Sequence, residues 1–591
     1  MKLPYGIADF HKLITQGYFY ADRTDCIASL EQAGDHLLFL RPRRFGKSLV
    51  LSMLENYYDV AKSDEFERLF GQLAIGRNPT PRRNQYFVMR WDFSAVMTQG
   101  NTEAIKQALH DHINVCVQGF LGRYRERLPQ VSFVNPDNAL ASFHAVVDAV
   151  GRTPYKLYLF IDEYDNFANE VMAAQLNGGQ DRYATLVHGE GILKTVFKTI
   201  KSLASGQGLD KVFIIGVSPV VMSDISSGYN VARDVSFLPK YRDLCGFHES
   251  EVANTLEKIG AECNLPESQV QEALSTMRTF YNGYRFGYED GPLLYNPTLA
   301  LYFLQNYQEE CTYPREILDD NLAMDRNRIE YIACLPHGQE LVAKALDATE
   351  PLLIGQLARR FGVHDMLTAA KDRAFLASLM YYLGILTIDG RDGMGDLALR
   401  IPNLVIRRLY VERIWDALLP GYEDRETAHR ATRRFYGSGD LELLCDFIEN
   451  RYFQVFDNRD YRWSNELVVK TAFLVILFSD TFYIMDSETA IDTGYADLSM
   501  IVRPDMRQYQ LLDHLLEFKY VPLKALNMSS EEIKSKSREE LRALPQVKDK
   551  LTEASEQLAR YRAMLEQTYG EKLRLTTHAV AALGLTRLVW E

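Results

Sequence analysis

Asp497, Glu517 and Lys519 are the residues of this chain whose types and spacing are best suited to chemistry. Asp497 opens the apolar run Leu498-Ser499-Met500-Ile501-Val502, and Glu517 and Lys519 flank Phe518 in a second apolar run from Leu511 to Val521. Both runs have the composition and length of strands. Side chains two apart on a strand share a face, so Glu517 and Lys519 stand together while Phe518 points into the opposite core. Paired as a hairpin, the strands bring Asp497 alongside Glu517. Two carboxylates are hard oxygen ligands of the kind Mg²⁺ takes in ones and twos while keeping several waters, and Mn²⁺ fits the same set. Such a cation lowers the pKa of a bound water and neutralises charge on a reacting phosphodiester; a lysine beside it orients or deprotonates that water, or stabilises the oxyanion. The plainer reading of the three residues is a strand-edge acid and a solvated ion pair.

A second constellation lies near the N-terminus. His36-Leu37-Leu38-Phe39-Leu40 is a short apolar strand, followed by Arg41-Pro42-Arg43-Arg44-Phe45-Gly46-Lys47-Ser48 and an amphipathic helix from Leu49 to Tyr58. Strand, loop with Gly-Lys-Ser, helix is the context in which successive backbone N–H groups and a helix N-terminus cradle phosphates. Lys47 then reaches the β- and γ-phosphates and Ser48 ligates Mg²⁺, with Arg43, Arg44, Phe45 and Gly46 completing the loop. The first glycine of G-x-x-x-x-G-K-S is Arg41 here. A partner motif follows: Lys156-Leu157-Tyr158-Leu159-Phe160-Ile161-Asp162-Glu163 is an apolar strand ending in two acids, Asp162 for Mg²⁺ and Glu163 to polarise the attacking water. Further strands from Tyr86 to Phe93 and from Val212 to Ser218 suit an open parallel sheet, with Ser218 placed as a polar sensor of the γ-phosphate.

Asp497, Glu517 and Lys519 resemble the D…ExK of the PD-(D/E)XK nuclease superfamily. The resemblance implies a further metal-binding acid, Glu466, on the preceding helix, and a site-facing glutamine, Gln557, on the following one; the proline of the name is replaced by Ala496. Along nearly the whole chain, Tyr18-Phe19-Tyr20-Ala21-Asp22-Arg23-Thr24, the Arg41–Ser48 loop, Trp91-Asp92-Phe93-Ser94, Ile161-Asp162-Glu163-Tyr164-Asp165, Gly216-Val217-Ser218-Pro219, Tyr281-Asn282-Gly283-Tyr284-Arg285-Phe286, Tyr295-Asn296-Pro297 and Ile401-Pro402-Asn403 resemble a bacterial and archaeal family of AAA-ATPase-like proteins that carry a C-terminal PD-(D/E)XK domain. In that family an arginine at the position of Arg41 is usual. The resemblance implies an NTPase module joined to a nuclease fold.

Length and composition bound this reading. A chain of 591 residues is too long for one core. The expected class is α/β: an AAA-like P-loop parallel sheet with a helical lid over residues 1–290, a mainly helical domain over 291–435, and a PD-(D/E)XK α/β domain over 436–591. A polar, glycine-bearing linker is expected from Leu419 to Gly439, and a charged helical insertion outside the core from Ser529 to Lys550. Seven scattered cysteines without a C-x-x-C fit free thiols in a reducing cytoplasm, and neither a signal peptide nor a membrane-spanning run is expected. The net charge of −13 confines any nucleic-acid contact to a groove. Of the local basic groups, the Arg41, Arg43 and Arg44 trio is assigned to nucleotide or a subunit interface, and Arg233 and Arg285 are the candidates for an arginine finger.

The expectation is ATP binding or hydrolysis that controls Mg²⁺-dependent cleavage of nucleic acid, DNA ahead of RNA, in a cytoplasmic protein of bacterial defence or DNA maintenance, with a homo-oligomer as an open partner class. The alternative is a nucleotide-gated protein whose nuclease fold only binds DNA or a partner.

Overall fold

The structure is a computed structural model that describes residues 1–97, 102–128, 134–166, 191–204, 208–219, 229–288, 291–317, 332, 338–346, 351–358, 372–418, 421–453, 465–486, 489–491, 494–570 and 573–591. Its N-terminal part is built on five parallel strands, β1 (His36–Leu40), β2 (Tyr86–Asp92), β3 (Lys156–Asp162), β4 (Leu209–Gly216) and β5 (Arg233–Asp234), in the order β2-β3-β4-β1-β5. β1, β3 and β4 are nearly continuous apolar runs because helices cover both faces of a parallel sheet. The order sets β4 between β1 and β3, so the loops leaving all three emerge side by side at the carboxyl edge, where open α/β sheets bind ligands.

Three helices follow the sheet, Glu249–Cys263, Glu267–Tyr281 and Pro297–Glu310. Asn296 caps the last of these, its Oδ1 accepting from the backbone N–H groups of Thr298 and Leu299, with Pro297 in the first turn, where its missing N–H costs nothing. Cys263 and Cys311 are joined by a disulfide, their Cα atoms 5.6 Å apart where two helices end together. This corrects the expectation of free thiols: a separation of 48 residues gave no sequence signal. Cys26, Cys116, Cys245 and Cys445 are free, and Cys334 lies outside the described residues.

The middle region is mainly helical, as expected, and also holds a small sheet. Strands β6 (Leu352–Ile354), β7 (Thr387–Arg391) and β8 (Leu397–Arg400) form an antiparallel sheet in the order β6-β8-β7, next to helix Arg373–Tyr382. The expected linker is a helix, Tyr422–Ser438, whose Ala428, Ala431, Thr432, Phe435 and Tyr436 recur at helical spacing and are buried; Leu419 and Pro420 lie outside the described residues.

In the C-terminal part, β9 (Tyr483–Asp486), β12 (Leu498–Val502), β13 (Asp513–Val521), β14 (Leu575–Leu583) and β15 (Arg587–Trp590) form a mixed sheet in the order β15-β14-β13-β12-β9, with β10 (Thr489–Ile491) and β11 (Gly494–Ala496) pairing apart. Helix Pro545–Tyr569 packs on one face, against β13 and β14, and helix Asn465–Leu477 on the other. Phe518 meets Phe473 of the latter helix at 4.8 Å between ring centroids. The charged run after β13 is not outside the core, since Ile533 and Leu541 anchor it as fully buried side chains.

Candidate active sites

At the first site the chain leaves β1 through Arg41 to Gly46 and enters helix Lys47–Tyr58. Gly46 has φ +90°, a conformation that turns the loop back onto the helix N-terminus and is strained for any other residue type. Lys47 is buried, and its Nζ donates to the carbonyls of Arg41 and Pro42, each at 3.0 Å. Burial pulls its pKa down, while Asp165, Glu163 and Asp162 oppose that. Asp162 ends β3, and its Oδ2 accepts from Arg90 Nη2 at 2.5 Å. Its Oδ1 is buried without a hydrogen-bond partner among the described residues, an unmet demand that a hydrated cation answers. Glu163 sits at φ +48°, uncommon for a non-glycine residue and concentrated at functional turns. Burial raises its pKa, against Arg43 and Lys47.

A cavity of about 360 Å³ adjoins this loop. Arg43, Arg44, Phe45, Gly46, Lys47, Ser48 and Glu163 form one side, and Tyr20, Phe247 and Leu301 contribute to an apolar remainder. The size and the division into polar and apolar parts suit a nucleotide.

At the second site β12 and β13 pair antiparallel with Leu498 opposite Leu516. That register sets Asp497 beside Glu517: the Asp497 N–H donates to Glu517 Oε2 at 3.3 Å, and Asp497 Oδ2 accepts from the Phe518 N–H at 2.8 Å. Lys519 Nζ donates to Glu517 Oε1 at 2.9 Å. Burial, and secondarily the charge of Asp497, push the Glu517 carboxyl up to about 7. Burial also works against the charge on Lys519, yet its hydrogen bond to Glu517 and the field of both acids outweigh it and raise its pKa. Gln557 lies on helix Pro545–Tyr569 midway between Glu553, 3.9 Å from Lys519, and Tyr561, whose pKa responds to Glu517 and Asp497. Residues four apart share a helix face, so Gln557 faces the site, and its Oε1 is buried without a partner among the described residues. Two hard carboxylates with a lysine and a buried amide oxygen fit a divalent cation.

Several expectations change. Arg41 is not a phosphate ligand: its guanidinium is buried, donates to the carbonyls of Leu40, Ser236, Tyr241 and Arg242, and stacks between Phe39 and Phe286. It pins the loop to the sheet. The Phe45 ring is clasped edge-on by Tyr284 and Phe286. The Ser218 hydroxyl is buried and donates to Asp165 Oδ2, so Ser218 fixes the end of β3 to the end of β4. Arg233 faces away from the loop, its Nη1 donating to the carbonyl of Ala33 ahead of β1. The Arg285 N–H donates to Thr387 of the small sheet. Glu466 belongs to helix Asn465–Leu477, and its side chain lies outside the described residues. Two functional neighbours were missed, Arg90 against Asp162 and Lys470, whose Nζ is 3.2 Å from Asp497 Oδ1. Each interrupts an apolar run, which was the available signal.

Both ends of the chain match known families. Residues 4–226 match the family described as predicted AAA-ATPase, and residues 464–588 match the PD-(D/E)XK nuclease superfamily. An uncharacterized protein in the vnfD 5′ region of Azotobacter chroococcum is 25% identical over 562 residues, 90% of this chain and 92% of that one. Among solved structures, a Walker-type ATPase of Pyrococcus abyssi aligns over 66% of this chain and 95% of its own at 17% identity and a TM-score of 0.33. The ORC1 protein of Aeropyrum pernix, solved in complex with DNA, aligns over 67% and 94% at 14% identity and a TM-score of 0.25. The chain therefore carries an AAA-ATPase-like domain in its N-terminal part and a PD-(D/E)XK nuclease-superfamily domain in its C-terminal part.

Proposed function

We propose that this protein binds and hydrolyses ATP in its N-terminal domain and thereby controls Mg²⁺-dependent cleavage of nucleic acid, DNA ahead of RNA, in its C-terminal domain. The observation that carries the reading is the convergence of Asp497, Glu517 and Lys519, linked by hydrogen bonds across two strands. Solvated, independent side chains have no reason to converge in a buried patch.

Asp497 and Glu517 hold the cation, with Gln557 beside them. When bound, it supplies a Lewis acid for a phosphate oxygen and a water of lowered pKa. Lys519 stabilises the negative charge that builds on the non-bridging oxygens as the water oxygen bonds to phosphorus and the bridging P–O bond breaks. In the N-terminal domain the amides of Gly46 to Ser48 and the amine of Lys47 hold the phosphates, Ser48 and Asp162 take the Mg²⁺, and Glu163 accepts a proton from the attacking water. Tyr20, Phe247 and Leu301 receive the base. Soluble expression in the cytoplasm and a role in bacterial defence or DNA maintenance fit this activity.

The test is incubation of the full chain with plasmid DNA, single-stranded DNA and RNA, with Mg²⁺ or Mn²⁺, and with ATP, ADP or no nucleotide. Cleavage that needs the metal and changes with the nucleotide is expected. Absence of cleavage under every combination overturns the nuclease part of the reading.

A further inference from the structure

Lys470 stands in the second turn of helix Asn465–Leu477, in a run whose neighbours Val468, Val469, Thr471, Ala472 and Phe473 are all buried. Its own side chain is 8% exposed, and its Nζ is 3.2 Å from Asp497 Oδ1. An ammonium withdrawn from water to this degree is costly unless it is paired, so helix Asn465–Leu477 holds the lysine there at the expense of its own packing. A leucine in its place would satisfy the helix better. The described partner of its amine is Asp497.

Charge shows what it does. Asp497 and Glu517 bring two negative charges into one buried patch, and Lys470 and Lys519 bring two positive ones, Lys519 at 2.9 Å from Glu517. With Glu553 3.9 Å from Lys519, the described acids outnumber the amines by one, so the two amines offset much of the repulsion between the acids and still leave the patch attractive to a cation.

Resting on the nuclease reading above, we propose that Lys470 is a positioning residue of this site, acting through Asp497: it holds the carboxylate in place and supplies a positive charge that opposes the divalent cation there. Lys470 and the cation compete electrostatically for the same carboxylate. Removing the amine therefore tightens metal binding while slowing the reaction, a pairing of effects that a merely structural lysine does not produce.

The experiment is Mn²⁺ titration calorimetry on the full chain, together with metal-dependent cleavage, for the wild type, Lys470→Met and Lys470→Arg, with Asp497→Ala as the blank that assigns the heat to this site. The wild type is expected to bind Mn²⁺ that Asp497→Ala loses. Lys470→Met, which keeps the length and apolar stem, is expected to bind Mn²⁺ at least threefold more tightly and to cleave at least tenfold more slowly. Lys470→Arg is expected to restore wild-type Mn²⁺ affinity. Weaker or unchanged Mn²⁺ binding in Lys470→Met, or tightening in Lys470→Arg equal to that in Lys470→Met, overturns the proposal. If Lys470→Met tightens Mn²⁺ binding and no form of the protein cuts any nucleic acid, Lys470 keeps its assignment and the nuclease reading fails.

Discussion

Glu163 is held at φ +48° with its carboxylate at the cavity wall, its pKa raised by burial against the pull of Arg43 and Lys47. A carboxylate of raised pKa is a better base near neutrality. Glu163→Gln keeps the volume and loses the base, so ATP turnover should fall by roughly 10²–10⁴-fold with ATP still bound, measured by phosphate release and by calorimetry. Turnover at the wild-type rate would show that another group takes the proton. At this scale the strand period of two was enough to bring Glu517 and Lys519 to one face, and strand-end position was enough for Asp162 and Glu163. Arg90, Lys211 and Lys470 were not legible in the same way. Arg90 and Lys470 are cations inside apolar runs and Lys211 stands at the edge of one, paired with Asp162, Asp497 and Asp35 respectively. Such a residue announces that a carboxylate is near, but the partner comes from another element and its identity waits on the fold. Arg41 misled for the opposite reason: it sits in a phosphate-loop position, and its four backbone acceptors lie mostly some 200 residues away.

Among the elements, β13 and β14 carry a feature of their own besides Glu517. His514 and His578 lie side by side, Nδ1 to Nε2 3.3 Å, with the His514 ring stacked on Phe435 of helix Tyr422–Ser438. Burial pulls both far below 6.5, His514 to about 3 and His578 to about 4. The unfolded chain takes up these protons below 6.5 and the folded chain does not, so the stabilising contribution is present above 6.5 and is lost as pH falls from there toward about 4. The slope is about 1.4 kcal/mol per pH unit for each histidine. Denaturant titration of the full chain at pH values on either side of this window should show the loss, and His578→Gln should reduce it; an equal loss in the variant would exclude the pair as its source. The strands around this pair were legible from composition, whereas helix Tyr422–Ser438 was mistaken for a linker because its polar residues and terminal glycines hide a five-residue apolar face. The small β6-β8-β7 sheet was missed since its strands are only three to five residues long and lie within helical sequence.

Across the whole molecule the two sites are joined by packed elements. Phe45 of the phosphate loop is clasped by Tyr284 and Phe286. Gly283, just before Tyr284, has φ +113° and lies so close to Pro402 that an added Cβ would stand 1.9 Å from its carbonyl oxygen, so no larger residue fits. Asn403 donates to the carbonyl of Asn282 and opens helix Leu404–Leu418, which packs on helix Asn465–Leu477 and whose Arg408 pairs with Asp480 at 2.6 Å. The second helix carries Lys470 onto Asp497. The motif residues along this route were visible in the sequence, and their meeting in space was not. Adjacency is a route and not yet a coupling; coupling requires that nucleotide shift an equilibrium at the other end. The most direct measurement follows cleavage and ATP turnover in the same samples, with ATP, ADP or no nucleotide, for the wild type, Lys47→Ala and Lys519→Ala. The account predicts nucleotide-dependent cleavage in the wild type, cleavage insensitive to nucleotide in Lys47→Ala, and in Lys519→Ala a loss of cleavage of roughly 10²–10³-fold with ATP turnover retained. Cleavage by Lys519→Ala at the wild-type rate would contradict it.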